Sequence, residues 1–233
     1  MAPLKPDHPT DKGRGTASRT SIELTLLASL LLAFLALAIF SWLAQGVLAG
    51  KAWQLDSTLR AFAYTHSSPA LTLVMRAISA LGAAPVLALF VALLVLGFLR
   101  AGWRRAALWL GVDMAGAYLL TVELKRFFAR PRPPAFHVPE PATYSFPSGH
   151  ALLSFCFYFV VVGLLTARLQ SSAGKAALWT GAALLVAAIG VSRVYLGVHY
   201  PSDVAAGFCA AVIWVATVRE GYLAWLRRRG AQA

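Results

Sequence analysis

Three short stretches of this chain concentrate side chains able to handle an anion. Lys125 is followed, after six residues, by Arg132-Pro133; Pro147-Ser148-Gly149-His150 stand in a row; Ser192-Arg193 precede His199, and Asp203 follows it. Together they offer three cations, two histidines and a carboxylate. Phosphoryl transfer spreads negative charge over equatorial oxygens, so its catalysis is largely positioning and electrostatic stabilisation. Lys125, Arg132 and Arg193 fit that need, Arg as a planar fork for two oxygens and Lys as a point charge. Ser148 is a good N-cap where a loop becomes a helix, and free N–H groups there attract anions. Gly149 lets an oxyanion come close to the backbone. His199 and Asp203 are four apart, which places them on one face of a helical turn. The carboxylate can then fix the ring tautomer of His199 and raise its nucleophilicity. Taken singly, each residue has a plainer use, as a helix cap or a base snorkelling to an interface.

The elements that must position these residues are membrane helices. Hydrophobic residues make up 59% of the 233 and charged ones only 13%, and mean hydropathy is +0.67. Soluble domains carry about 25% charge. Ionisable groups in such a chain are functional candidates because burying them in lipid is costly. The expected fold class is all-α: an integral membrane bundle of six transmembrane helices with an interfacial helix after the first span. The expected domains are a disordered cytoplasmic tail over 1–20 and a six-span domain over 21–233. No charge occurs from Leu24 to Gly50, more than the roughly 20 residues a span needs. Residues 51–75 read as an amphipathic interfacial helix ending near Ser68-Pro69. Further spans are expected at about Ile78–Leu99, Ala106–Leu124, Ser148–Ala167, Ala176–Arg193 and Pro201–Leu226, with a Pro-rich loop over Lys125–Pro147.

The net charge of +12 does not point to nucleic acid, since the bases fall in loops between apolar runs or in the three motifs. The N-terminal tail, the Arg100–Arg105 turn, the Arg168–Lys175 loop and the Arg227–Arg229 run all share one side. The positive-inside rule makes that side the cytoplasm. The Lys125–Arg132 loop, with four bases, then lies outside, and all three motifs meet at that outer face. A bacterial-type inner membrane is the expected location, with both termini cytoplasmic and the site facing the periplasm. Cys156 and Cys209 lie in apolar runs and read as core residues. Trp42, Trp103, Trp179 and Trp225 lie near span ends as an aromatic belt, and Trp214 as packing. Asp113 and Glu123 are given structural roles, Glu123 beside a local base, and Asp56 reads as an interfacial surface residue. Carboxylates are too few and scattered for a two-metal clamp, so neither metal nor other cofactor is expected. The expected partners are the bilayer and a membrane lipid substrate, with no nucleic acid and no obligate protein partner.

The pattern K-x6-RP, PSGH, SR-x5-H-x3-D, unbroken and in order from Lys125 to Asp203, resembles the type-2 phosphatidic acid phosphatase superfamily. That superfamily includes membrane lipid phosphatases and soluble vanadium haloperoxidases. The resemblance implies a catalytic set of His199, His150 and Asp203. His199 would be the nucleophile forming a phosphohistidine, Asp203 its orienting acid, and His150 the general acid on the leaving group. It implies that Lys125, Arg132, Ser148, Gly149 and Arg193 hold the phosphate. The expected activity is metal-independent hydrolysis of a lipid phosphate or diphosphate. Undecaprenyl diphosphate is favoured because the site opens outward and Arg126 and Arg130 could neutralise a second phosphate. Alternatives are a phosphatidylglycerol phosphate or phosphatidate phosphatase, a lipid phosphotransferase, and a phospholipid-binding transporter without turnover.

Overall fold

The computed structural model describes residues 13–51 and 53–230, and the described residues form eight helices: α1 Gly13–Leu48, α2 Gln54–Thr65, α3 Pro69–Ala80, α4 Ala84–Arg100, α5 Arg104–Phe128, α6 Gly149–Thr166, α7 Ser172–Tyr195 and α8 Pro201–Gly230. Residues 1–12 of the expected tail lie outside the described residues, and α1 starts at Gly13, within the segment read as tail. The side chains of Trp225 and Arg227–Arg229 also lie outside the described ones. Among the described residues five helices are long and apolar enough to cross a membrane, and the count is six if α3 and α4, bent by 46°, are one broken span.

The bent pair departs from the expected layout. Within residues 51–75, α2 ends just before Ser68-Pro69 as expected, and a further helix, α3, starts at Pro69. The Ser68 side chain accepts from the Leu71 N–H at 3.3 Å, capping α3, and Pro69 fills the first turn, where a missing N–H costs nothing. The span expected from Ile78 starts instead at Ala84. Pro85 explains the break: it has no N–H to give the Leu81 carbonyl, so one helix cannot run through both. That carbonyl instead accepts from the Tyr158 hydroxyl at 3.1 Å.

α6 is the central element, packed against α4, α5, α7 and α8. It is apolar on all sides, as suits a helix packed between neighbours within a membrane. Leu152, Cys156, Phe157 and Val160 meet Leu110, Ala117 and Ala211 in the main core. Cys156 and Cys209 are both free thiols. α1 lies along α8. Trp214 packs on α5 where Gly116 leaves room, since a Cβ at Gly116 would sit 2.1 Å from the indole. Its ring N–H donates to the Asp113 main-chain carbonyl at 3.0 Å. The Asp113 carboxylate is buried without a partner among the described residues, so the helix-to-helix bond here uses the backbone rather than that side chain.

Candidate active site

Four helix ends converge on one face of the bundle and carry the three motifs. Lys125 is on the last turn of α5, which runs four residues past its expected end and stops where Ala129 adopts a left-handed conformation, φ 44°. Ser148 is the N-cap of α6, with Gly149 and His150 next on its first turn. Arg193 is on the last turn of α7, and Asp203 on the first turn of α8. Arg132 and His199 come from the intervening loops. Two glycines allow this meeting. A Cβ on Gly207 would lie 2.7 Å from the Ser148 carbonyl oxygen and 2.9 Å from the Ala151 Cβ, so the absence of a side chain at 207 lets α8 come this close to the start of α6. Gly197, at φ 78°, turns the chain just before His199 and passes 2.6 Å, at the place of a Cβ, from the Phe136 nitrogen. The Ser148 N–H donates to the Asp203 carbonyl at 2.9 Å, joining motif two to motif three.

His199 is 2% exposed and Asp203 fully buried. The His199 Nδ1 lies 3.3 Å from Asp203 Oδ2, which also accepts from the Tyr200 N–H at 2.9 Å. The other ring nitrogen, Nε2, lies 3.2 Å from Arg132 Nη1. A guanidinium can only donate, so this contact assigns the lone pair to Nε2 and the ring proton to Nδ1. Burial pushes the His199 pKa down from 6.5 to about 3, against the opposing pull of the Asp203 hydrogen bond and charge. The ring is therefore neutral at physiological pH, with Nε2 turned to the cations. Arg132 donates to the Val198 carbonyl at 2.7 Å and to Thr143 Oγ1 at 2.9 Å. Burial lowers its pKa, opposed by Asp203 and Glu140, and a guanidinium starting above 12 stays charged.

Lys125 Nζ donates to the Tyr144 carbonyl, and Arg193 Nη1 to the Ser79 hydroxyl. The Lys125 Cε would be 3.7 Å from a Cβ on Gly149. The Ser148 hydroxyl is buried with no partner among the described residues; it does not cap its own helix and so keeps its hydrogen-bonding capacity. His150 and Arg193 line a cavity of about 340 Å³ with Arg76, Ser79, Ala83 and Pro139. His150 is within electrostatic reach of Arg193, His199, Arg132 and Lys125. All eight residues singled out by spacing thus meet in one cluster, with cations and hydrogen-bond donors around a neutral imidazole.

Two charged groups beside the cluster were misjudged from sequence. Asp56 is not a surface residue: it is 3% exposed and accepts from the Ser202 N–H at 2.8 Å and the Ser202 hydroxyl at 2.6 Å. Arg130 is not free to hold a second phosphate, because it donates to Asp203 Oδ1 at 2.6 Å, Asp56 Oδ2 at 3.2 Å and Ser202 Oγ at 2.9 Å. No local spacing pairs them, because Asp56 and Arg130 stand 74 positions apart. Arg126 pairs with Glu123 at 3.2 Å on an exposed surface, as its neighbour's position suggested.

Comparison with known proteins follows the same lines. A family model described as the PAP2 superfamily matches residues 106–227. Phosphatidylglycerophosphatase B of Bacillus subtilis is 32% identical over 163 residues, 68% of this chain and 78% of that protein. Undecaprenyl-diphosphatase of Sulfolobus acidocaldarius is 40% identical over 70 residues, 30% of each chain. Among solved structures, the PAP2-type phosphatidylglycerolphosphate phosphatase from Bacillus subtilis superposes with a TM-score of 0.71 at 26% identity, covering 79% of this chain and 94% of that one.

Proposed function

Since this chain belongs to the PAP2 superfamily and is a membrane lipid phosphatase, we propose that it removes a terminal phosphate from a lipid through a phosphohistidine on His199. The observation that carries this reading is the buried, neutral His199 ring, held at Nδ1 by Asp203 with its Nε2 lone pair facing Arg132. In the proposed reaction Nε2 attacks phosphorus and the P–O bond to the lipid breaks. His150 gives its proton to the departing oxygen. Lys125, Arg132, Arg193, the Ser148 hydroxyl and the Gly149 N–H hold the equatorial oxygens. The ring, now positive, is balanced by Asp203. Water then attacks the phosphorus and returns a proton to His150, the N–P bond breaks, and inorganic phosphate leaves. The cations needed for charge stabilisation are side chains, so the reaction is metal-independent in this reading.

A lipid substrate fits the surroundings. Ala83 lies on the rim of the polar cavity, and from Ala84 an apolar groove of about 680 Å³ runs between α4 and α5, lined by Leu87, Val91, Met114 and Leu153. A head group in the first and a chain in the second would share one boundary. Phosphatidylglycerol phosphate stands first as substrate, because Arg130 is committed to carboxylates and a relative matched over 68% of this chain is named for that lipid. Undecaprenyl diphosphate is the second reading, favoured by the relative matched over 70 residues. The site faces the periplasm, with both termini cytoplasmic, as the loop charges dictate.

The test is phosphate release by purified protein from phosphatidylglycerol phosphate, phosphatidate and undecaprenyl diphosphate, with and without EDTA. The expected order of kcat/KM puts phosphatidylglycerol phosphate first, and EDTA leaves every rate unchanged. Faster turnover of the diphosphate would reverse the substrate order. A strict need for a divalent ion would overturn the role given to the cations. Phosphate passed only to a lipid acceptor would make the protein a phosphotransferase.

A further inference from the structure

We infer that Arg130 and Asp56 are positioning residues for the nucleophile: they form a buried brace that fixes the Asp203 carboxylate and, through it, the His199 ring. This inference rests on the phosphohistidine reading above. The carboxylate that orients His199 must itself be oriented. Its Oδ2 accepts from His199 Nδ1 and the Tyr200 N–H. Those two bonds share one oxygen, and the Arg130 contact at 2.6 Å supplies the hold on the other, Oδ1. Arg130 is in turn fixed on three sides. Asp56 Oδ2 is 3.2 Å away, Ser202 Oγ 2.9 Å, and the Tyr200 ring lies under the guanidinium at 4.1 Å. Asp56 completes the brace by accepting from both the N–H and the hydroxyl of Ser202.

Charge balance gives Asp56 a second part. A guanidinium beside Asp203 alone would neutralise much of the negative potential that the ring proton feels. A second carboxylate on the same guanidinium offsets that loss, so Asp203 keeps its pull on Nδ1–H when the ring becomes positive. The low-dielectric surroundings make such pairings strong, and leaving one member alone is costly. The brace also ties α2 to the first turn of α8, since Asp56 satisfies one of the N–H groups left free at that helix start. A purely structural clamp would do only this last task, and the two roles separate by experiment.

The full-length purified protein and its Arg130→Gln and Asp56→Asn variants are compared by single-turnover phosphoenzyme formation, inhibition by inorganic phosphate, and thermal unfolding. The expected result is a roughly 10- to 100-fold slower phosphoenzyme step, as small misplacements of a reacting group cost. The inhibition constant for inorganic phosphate should move less than about threefold, because Lys125, Arg132 and Arg193 remain. Placed on Asp203→Asn, Arg130→Gln should cost little more, since contacting residues that act through one group are not additive. Asp56→Asn keeps an acceptor for the Ser202 N–H, so it carries the test if Arg130→Gln unfolds. Wild-type rates in Asp56→Asn, full additivity with Asp203→Asn, or a loss confined to diphosphate substrates would overturn the brace. No phosphate release by the unaltered protein, or its retention in His199→Ala, would sink the phosphohistidine reading instead.

Discussion

His199 is buried, and burial keeps its ring neutral beside the Arg132 guanidinium. In the proposed mechanism the neutral form is the nucleophile, so His199→Ala should abolish turnover and the acid-labile phosphoenzyme. Asp203→Asn should lower kcat by about a thousandfold or more with the fold retained, as loss of the orienting acid does in other triads. Radiolabel trapped on the protein after acid-free quench checks both. The ring's protonation gives a second expectation. Its pKa lies near 3 rather than 6.5 because burial opposes the charged form. Nitrogen NMR of histidine-labelled protein should therefore show His199 still neutral at pH 5, with Nδ1 protonated; an imidazolium signal at pH 6 would contradict this. Unfolding returns the ring to its ordinary pKa, so the unfolded chain binds the extra proton between about pH 6.5 and 3. The associated stability is complete above pH 6.5 and is lost as pH falls towards 3.

Helix ends, more than helix bodies, build this site, and their spacing depends on small residues at crossings. Close approach in a bilayer relies on packing, since lipid tails are as apolar as side chains. Gly207 is one such point beside the chemistry, with the Ser148 carbonyl oxygen 2.7 Å from where a Cβ would stand. A backbone carbonyl cannot swing aside, so Gly207→Ala should push α8 from α6 and separate His199 from the Ser148–His150 turn. The expected cost is at least about 10-fold in kcat, with expression and membrane insertion retained. Gly181, on α7 with nothing within 4 Å of its Cβ position, is the control: Gly181→Ala should leave kcat within about twofold. Equal kinetics in the two variants would show that the α6–α8 contact does not set the site.

The molecule as a whole is an even set of spans with its reactive end on one face, if α3 and α4 count together. The proposed orientation, read from loop charge, makes that face the outer one. In a background lacking Cys156 and Cys209, a cysteine at Ala142, exposed in the Pro-rich loop, should react with an impermeant thiol reagent added to intact cells. One at Ser172, exposed at the start of α7, should react only after permeabilisation. The opposite pattern would place the site in the cytoplasm and remove the reason for four bases in the Lys125–Arg132 loop.

Much of this was legible in the chain before any coordinates. Hydropathy exposes spans because a backbone in lipid must satisfy its own hydrogen bonds, and helices do so over about 20 residues. The candidate cluster was legible because its members sit at helix ends or in the loops between them, where hydropathy changes and spacing is short. The α3–α4 break was partly readable at Pro85, but the span prediction followed apolar composition and passed over it. Asp56 and Arg130 were beyond reach. Whether a charged side chain at a membrane interface faces water or another charge depends on how α2 lies across the bundle. No local spacing records that the first turn of α2 meets the first turn of α8. Folding alone brings Asp56, Arg130 and Asp203 within hydrogen-bonding distance, and burial then requires that they pair.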